Sequence, residues 1–118
     1  MSTVYVNGPQ IAYDYEQITV AATAIGVTES KRVKTVTTNI QTDGTCYTST
    51  YTAIEVILLL ETAQIRWTCD GTTPTTTVGN PMDAGDSIVI SGAQNIKQFR
   101  AIRTGGTSGS LNVTFLKQ

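Results

Sequence analysis

Threonine occupies 22 of the 118 positions, and this constrains the fold more than any other feature of the chain. Its β-branched side chain is restricted about χ1 in a helix and suits a half-exposed pleated surface. Ten glycines fall mostly between short apolar runs, where they punctuate strands rather than cap helices. The two signals together predict an all-β fold: an antiparallel β-sandwich of jelly-roll or immunoglobulin-like type, with about seven or eight short strands.

Period-two alternation places the strands. Ile18, Val20, Ala22 and Ala24 recur on one face, and a β-rich segment over residues 31–40 departs from strict alternation in the manner of a bulge. Thr42-Asp43-Gly44-Thr45 reads as a tight hairpin turn, because Asp-Gly tolerates the left-handed positions such a turn requires. The most apolar stretch, residues 53–61, puts Ile54, Val56, Leu58 and Leu60 on one face and Glu55, Ile57, Leu59 and Glu61 on the other. A strand with hydrophobes on both faces is either central in a sandwich or covered by a second subunit. Further strands are expected at residues 65–69, with Trp67 and Cys69 inward, and at 87–91, 96–103 and 110–116. Gly105-Gly106-Thr107-Ser108-Gly109 reads as the hairpin loop joining the last two. Residues 1–17 form either an extended N-terminal arm or an internal strand, and residues 18–118 a single sandwich domain.

Composition narrows the chemistry. The chain has no histidine, which removes the commonest general base and metal ligand. A net charge of −1 gives no basic field for nucleic acid or anionic lipid. The longest apolar run, residues 56–60, is far short of the roughly 20 residues of a membrane-spanning helix, and the opening residues carry no basic or apolar leader pattern. No nucleic-acid, membrane or cofactor requirement is therefore expected.

The candidate sites weaken under the same scrutiny. Asp70, Asp83 and Asp86 share a loop-rich stretch and could begin an oxygen-rich cation site, but Asp before a turn ordinarily accepts backbone N–H bonds. Glu55 and Glu61 are six residues apart, roughly 20 Å along a strand, too far to act as a carboxylate pair. Cys46 and Cys69 lack an imidazole partner and read as reduced, packed thiols, with a disulfide as the alternative. Lys97, Arg100 and Arg103 form a basic cluster flanking Phe99. It reads as a solvated strand or a salt-bridged subunit contact. No catalytic residue is assigned; the interface candidates are Ile57, Leu59, Lys97, Arg100 and Arg103.

A more specific likeness lies in ordered motifs. Ile65-Arg66-Trp67-Thr68-Cys69-Asp70-Gly71-Thr72-Thr73-Pro74-Thr75 is followed by Asp83-Ala84-Gly85-Asp86, then by Phe99-Arg100-Ala101-Ile102-Arg103, then by Gly109-Ser110-Leu111-Asn112-Val113-Thr114-Phe115. Over roughly residues 53–118 this order resembles small virion-associated β-sandwich proteins of tailed bacteriophages. In those proteins a strand ending in an aromatic runs into a DGTTPT turn, and the final strands read F-x-A-I-R and L-x-V-x-Y; Phe115 stands at the last aromatic position. The turn by itself also resembles those of immunoglobulin-like accessory domains in carbohydrate-active enzymes. The resemblance implies a structural, non-enzymatic virion protein that decorates or cements the capsid, binds the major capsid protein, and forms a homo-oligomer such as a trimer. The alternative is a carbohydrate-binding or host-adhesion module of a fibre or tail, for which Tyr47 and Tyr51 are the nearest aromatic pair.

Overall fold

The computed structural model describes residues 10–39 and 46–118. Nine strands and two short helices follow one another: β1 (Ile11–Val20), α1 (Glu29–Arg32), β2 (Val33–Asn39), β3 (Cys46–Thr52), β4 (Glu55–Glu61), β5 (Ile65–Thr68), β6 (Asn80–Met82), β7 (Ser87–Ser91), α2 (Ala93–Gln98), β8 (Arg100–Arg103) and β9 (Gly109–Lys117). The fold is all-β and sandwich-like, and every strand pairing is antiparallel. One sheet has the order β1-β9-β4-β7, a second β6-β5-β8, and β2 and β3 form a separate two-stranded ribbon.

The core lies between the two larger sheets. Alternation turns Ile18 and Val20 of β1, Val56, Leu58 and Leu60 of β4, Ile90 of β7, and Leu111, Val113 and Phe115 of β9 to the same side. They meet Ile65, Met82 and Ala101 of the smaller sheet, together with Ile96 and Phe99 at the end of α2. Trp67 stacks on Phe99 with centroids 6.2 Å apart. The two sheets are stitched by the chain leaving β1: Arg103 N donates to Ala21 O at 3.0 Å, and Ile25 and Ala101 exchange both backbone bonds.

Several sequence expectations change here. Residues 11–17 are not an arm: they pair with β9 along the whole of β1, so the internal-strand reading holds from Ile11. The first nine residues of the expected arm lie outside the described residues, as does the Thr42–Thr45 turn. No bulge falls in Val33–Asn39, whose register with β3 is unbroken, and residue 40 lies outside the described residues; a bulge falls instead in β1 between Ala12 and Asp14. Residues 96–98 close a helix rather than open a strand. Ile96 and Phe99 then enter the core, where a continuous strand would alternate its side chains between faces. The glycine-rich segment 105–109 is not a hairpin loop, because β8 and β9 belong to different sheets; it carries the chain across the sandwich.

Gly109 shows what that crossing costs in space. It opens β9 against Val20, and a Cβ there would lie 2.8 Å from Ile65 Cγ2, 3.0 Å from Ala63 O and 3.1 Å from Leu60 Cδ1. The carbonyl cannot move without moving the β4–β5 connection, so the position admits only glycine. Gly109→Ala is expected to destabilise the fold by about 1–3 kcal/mol through overpacking, read as a lower urea midpoint at unchanged m-value.

Candidate interaction surface

The four-stranded sheet has a second face, and its composition follows from the same alternation that builds the core. Tyr15, Gln17 and Thr19 of β1, Ser110, Asn112 and Thr114 of β9, Glu55, Ile57, Leu59 and Glu61 of β4, and Ser87, Val89 and Ser91 of β7 point away from the smaller sheet. Register aligns Tyr15, Thr114, Ile57 and Val89 in one row across all four strands, with Leu59 in the next row between Asn112 and Ser87. Tyr15 is 53% exposed, Val89 45% and Leu59 40%, while Ile57 is half-buried. Lone exposed hydrophobes are ordinary on a soluble surface; an aligned row on a sheet face is the kind of patch that partners cover.

Polar side chains on this face are bonded to one another. Tyr15 Oη donates to Asn112 Oδ1 at 2.6 Å, Asn112 Nδ2 donates to Glu61 Oε1, and Ser91 Oγ donates to Glu55 Oε2 at 2.8 Å. Tyr15 and Asn112 are thereby held in place beside the apolar row. The charges on the face are the two carboxylates at opposite ends of β4.

The two-stranded ribbon is the second surface. Among the described residues, its contacts with the rest of the chain lie at its base. Tyr13, the bulged residue of β1, donates Oη to Lys31 O at 2.7 Å and lies 3.1 Å from Arg32 O, with its ring edge-on to Tyr51 at 5.6 Å. Burial, and secondarily the nearby Asp14 carboxylate, pushes the Tyr13 hydroxyl up to about 12. Asp14 accepts Lys31 Nζ at 3.2 Å, Lys34 Nζ at 3.1 Å and Tyr15 N at 2.8 Å. Burial alone would raise its pKa, but the Tyr15 N–H and the two ammonium groups outweigh it and hold the carboxyl below its ordinary value. Beyond this base Thr35, Thr37, Thr48, Ser49 and Thr50 are all exposed. Two strands are marginal alone in water, and among the described residues no third strand joins them, so the base contacts carry the ribbon.

The remaining sequence candidates separate in space. Lys97 on α2 and Arg100 at the start of β8 stand together and line the same two grooves. Arg103, three residues further along a strand, points to the other face, where Nη1 donates to Ser108 Oγ at 3.3 Å. The cluster of three is therefore a pair. Asp83 and Asp86 share one turn, where Asp86 Oδ2 accepts Asp83 N at 2.9 Å and Asp83 Oδ1 accepts Gln64 Nε2 at 2.8 Å. Asp70 serves a different turn, accepting Thr72 N at 3.0 Å, which together with a side-chain bond to Thr72 lowers its pKa. Among the described residues no three His, Cys, Asp or Glu side chains gather to hold a metal.

Cys69 is free and half-exposed, lining a groove with Trp67, Asp70 and Val78 rather than lying inside. Thr68 takes the inward place instead, its Oγ1 donating to Thr72 O at 2.5 Å. The side chains of Cys46 and Tyr47 lie outside the described residues. Tyr51 is half-buried, with the Tyr13 ring in T-shaped contact at 5.6 Å and Lys117 Nζ over its ring, 4.7 Å from the centroid.

Compared with protein-family models, curated proteins and solved structures, the chain matches none of them.

Asp14 gives this geometry a pH signature. A carboxyl with a depressed native pKa contributes stability that is present above its unfolded pKa and lost as pH falls through the native one. Asp14→Asn is expected to lower the unfolding midpoint at pH 7, with the difference from the parent chain shrinking as pH falls below about 4, the ordinary range of an Asp carboxyl. Paired denaturation curves across pH 2–7 would check this.

Proposed function

We propose that this chain is a structural protein of a tailed-bacteriophage virion, one that decorates or cements the capsid by binding the major capsid protein and copies of itself. It acts by contact, not by turnover, and its contact surface is the outer face of the four-stranded sheet. The observation that carries the reading is the row Tyr15–Thr114–Ile57–Val89, with Leu59 beside it, on a face that no other part of the described chain covers. The ordered motifs over residues 65–115 support the virion assignment, and the ribbon, fastened at its base among the described residues, adds a second surface for a neighbour to stabilise.

The energetics suit assembly. Full burial of a Leu, Ile or Val side chain is worth about 1.5–3 kcal/mol. Leu59 and Val89 are partly covered already, so each gains a fraction of that in a contact. A single copy binds weakly through such a patch, and repetition around a symmetric shell makes the binding stable.

Leu59→Glu tests the assignment. Because Leu59 is outside the core, the substitution is expected to cost less than about 1 kcal/mol in folding stability while abolishing self-association and co-sedimentation with purified capsids. Unchanged sedimentation of the folded variant, alone and with capsids, would remove this face from the contact.

A further inference from the structure

The groove between α2 and the turn at residues 70–74 has a different character from the sheet face. It encloses about 460 Å³ and is lined by Gly71, Thr73, Gln94, Lys97, Gln98 and Arg100. Ile96 and Phe99 fix the helix in the core, so Gln94, Lys97 and Gln98, spaced i, i+3 and i+4, share its outward face. Asn95 Nδ2 donates to Ser91 O at 2.9 Å and anchors the helix start.

Arg100 is held in an unusual way. Its Nη1 donates to Phe99 O at 2.6 Å and to Lys97 O at 3.1 Å, and a Cβ at Gly26 would lie 2.5 Å from that nitrogen. The guanidinium is thus seated over a glycine by one amino group, on the border between the two grooves that it lines together with Lys97. Among the described residues neither Arg100 nor Lys97 has an ion pair with a carboxylate. Asp70, next to the groove, spends Oδ1 on the Thr72 N–H, and Glu29, in the groove on the far side of Arg100, pairs with Arg32 at 3.6 Å. Gly71, at φ +93°, lies beside Gln98, whose Nε2 would be 3.6 Å from a Cβ there.

From this arrangement we infer that the groove binds an acidic peptide segment of a neighbouring protein. An Asp or Glu carboxylate takes the Arg100 fork and the Lys97 ammonium, in charge-assisted bonds stronger than neutral ones. The amides of Gln94 and Gln98 each offer a donor and an acceptor, which matches the C=O and N–H of a peptide main chain. Among the described residues no aromatic lines the groove for a sugar ring to stack on, and two cations on a chain of net charge −1 make no track for a nucleic-acid backbone. The inference goes beyond the sheet-face contact and does not depend on it.

NMR titration of the intact chain tests it, using a capped tetraglutamate peptide, the matching tetraglutamine peptide, oligogalacturonate and inorganic phosphate as separate probes. Saturable shifts at Thr73, the Gln94 and Gln98 side-chain amides and Arg100 Nε are expected with tetraglutamate alone, weakening as salt is raised. Arg100→Gln and Lys97→Gln are each expected to weaken binding by about tenfold or more, and Gly26→Ala, which displaces the guanidinium, to do the same if it folds. Leu59→Glu should bind tetraglutamate as the parent chain does; a loss there would move the peptide to the sheet face and overturn the assignment. Absence of shifts at these residues, equal binding of tetraglutamine, or binding of oligogalacturonate or phosphate as tight as tetraglutamate would each overturn it as well.

Discussion

A β-strand cannot turn all its side chains the same way, and everything distinctive about this molecule follows from applying that constraint to β4. Seven residues, Glu55 to Glu61, hold five consecutive apolar side chains between two carboxylates. Pairing on both edges, with β9 on one side and β7 on the other, commits Val56, Leu58 and Leu60 to the core. Ile57 and Leu59 must then face outward. A slip of one residue would exchange the two sets and put both carboxylates into the core, so the register is strongly specified. The outer row with Tyr15 and Val89 is the geometric counterpart of a well-packed interior.

Charge is distributed as unevenly as hydrophobicity. The outer face carries Glu55 and Glu61, each receiving a hydrogen bond from a neighbouring strand, while the cations are elsewhere. Lys31 and Lys34 are absorbed by Asp14 at the foot of the ribbon, and Arg66 by the carbonyls of Thr76 and Gly79 at 3.1 and 2.7 Å. Lys97 and Arg100, away from that face, have no carboxylate partner among the described residues, although Arg100 Nη1 bonds the carbonyls of Phe99 and Lys97. A chain near electrical neutrality can therefore present one apolar face with acidic ends and one cationic groove, two surfaces of unlike chemistry suited to unlike partners.

How much of this the sequence disclosed depends on whether the determinant was local. The two faces of β4 and the inward set Leu111, Val113 and Phe115 of β9 are legible from period two, because both strands sit centrally and alternate cleanly. The short helix α2 is not legible in sequence: Gln94-Asn95-Ile96-Lys97-Gln98 offers a single apolar residue, too little for a helical period, and its position is set by Ile96 and Phe99 reaching the core. Residues 11–17 lacked an apolar partner in sequence because their partner is β9, about a hundred residues away, and the Tyr13 bulge shifts the alternation of β1. Whether residues 105–109 join strands of one sheet or two is likewise a tertiary fact, since a glycine-rich loop serves both. The basic cluster looked like one group of three, and the parity of β8 divides it. Cys69 fell in phase with Trp67 only on the assumption that β5 continued one residue longer than it does.

The outer face of the four-stranded sheet is the claim on which the proposed function stands, and electron cryomicroscopy of the chain in the virion proposed for it addresses it directly. The account predicts that each copy is seated with Tyr15, Ile57, Leu59 and Val89 against a neighbouring polypeptide, whether the shell protein or another copy. A reconstruction in which that face points to solvent in every copy would contradict it.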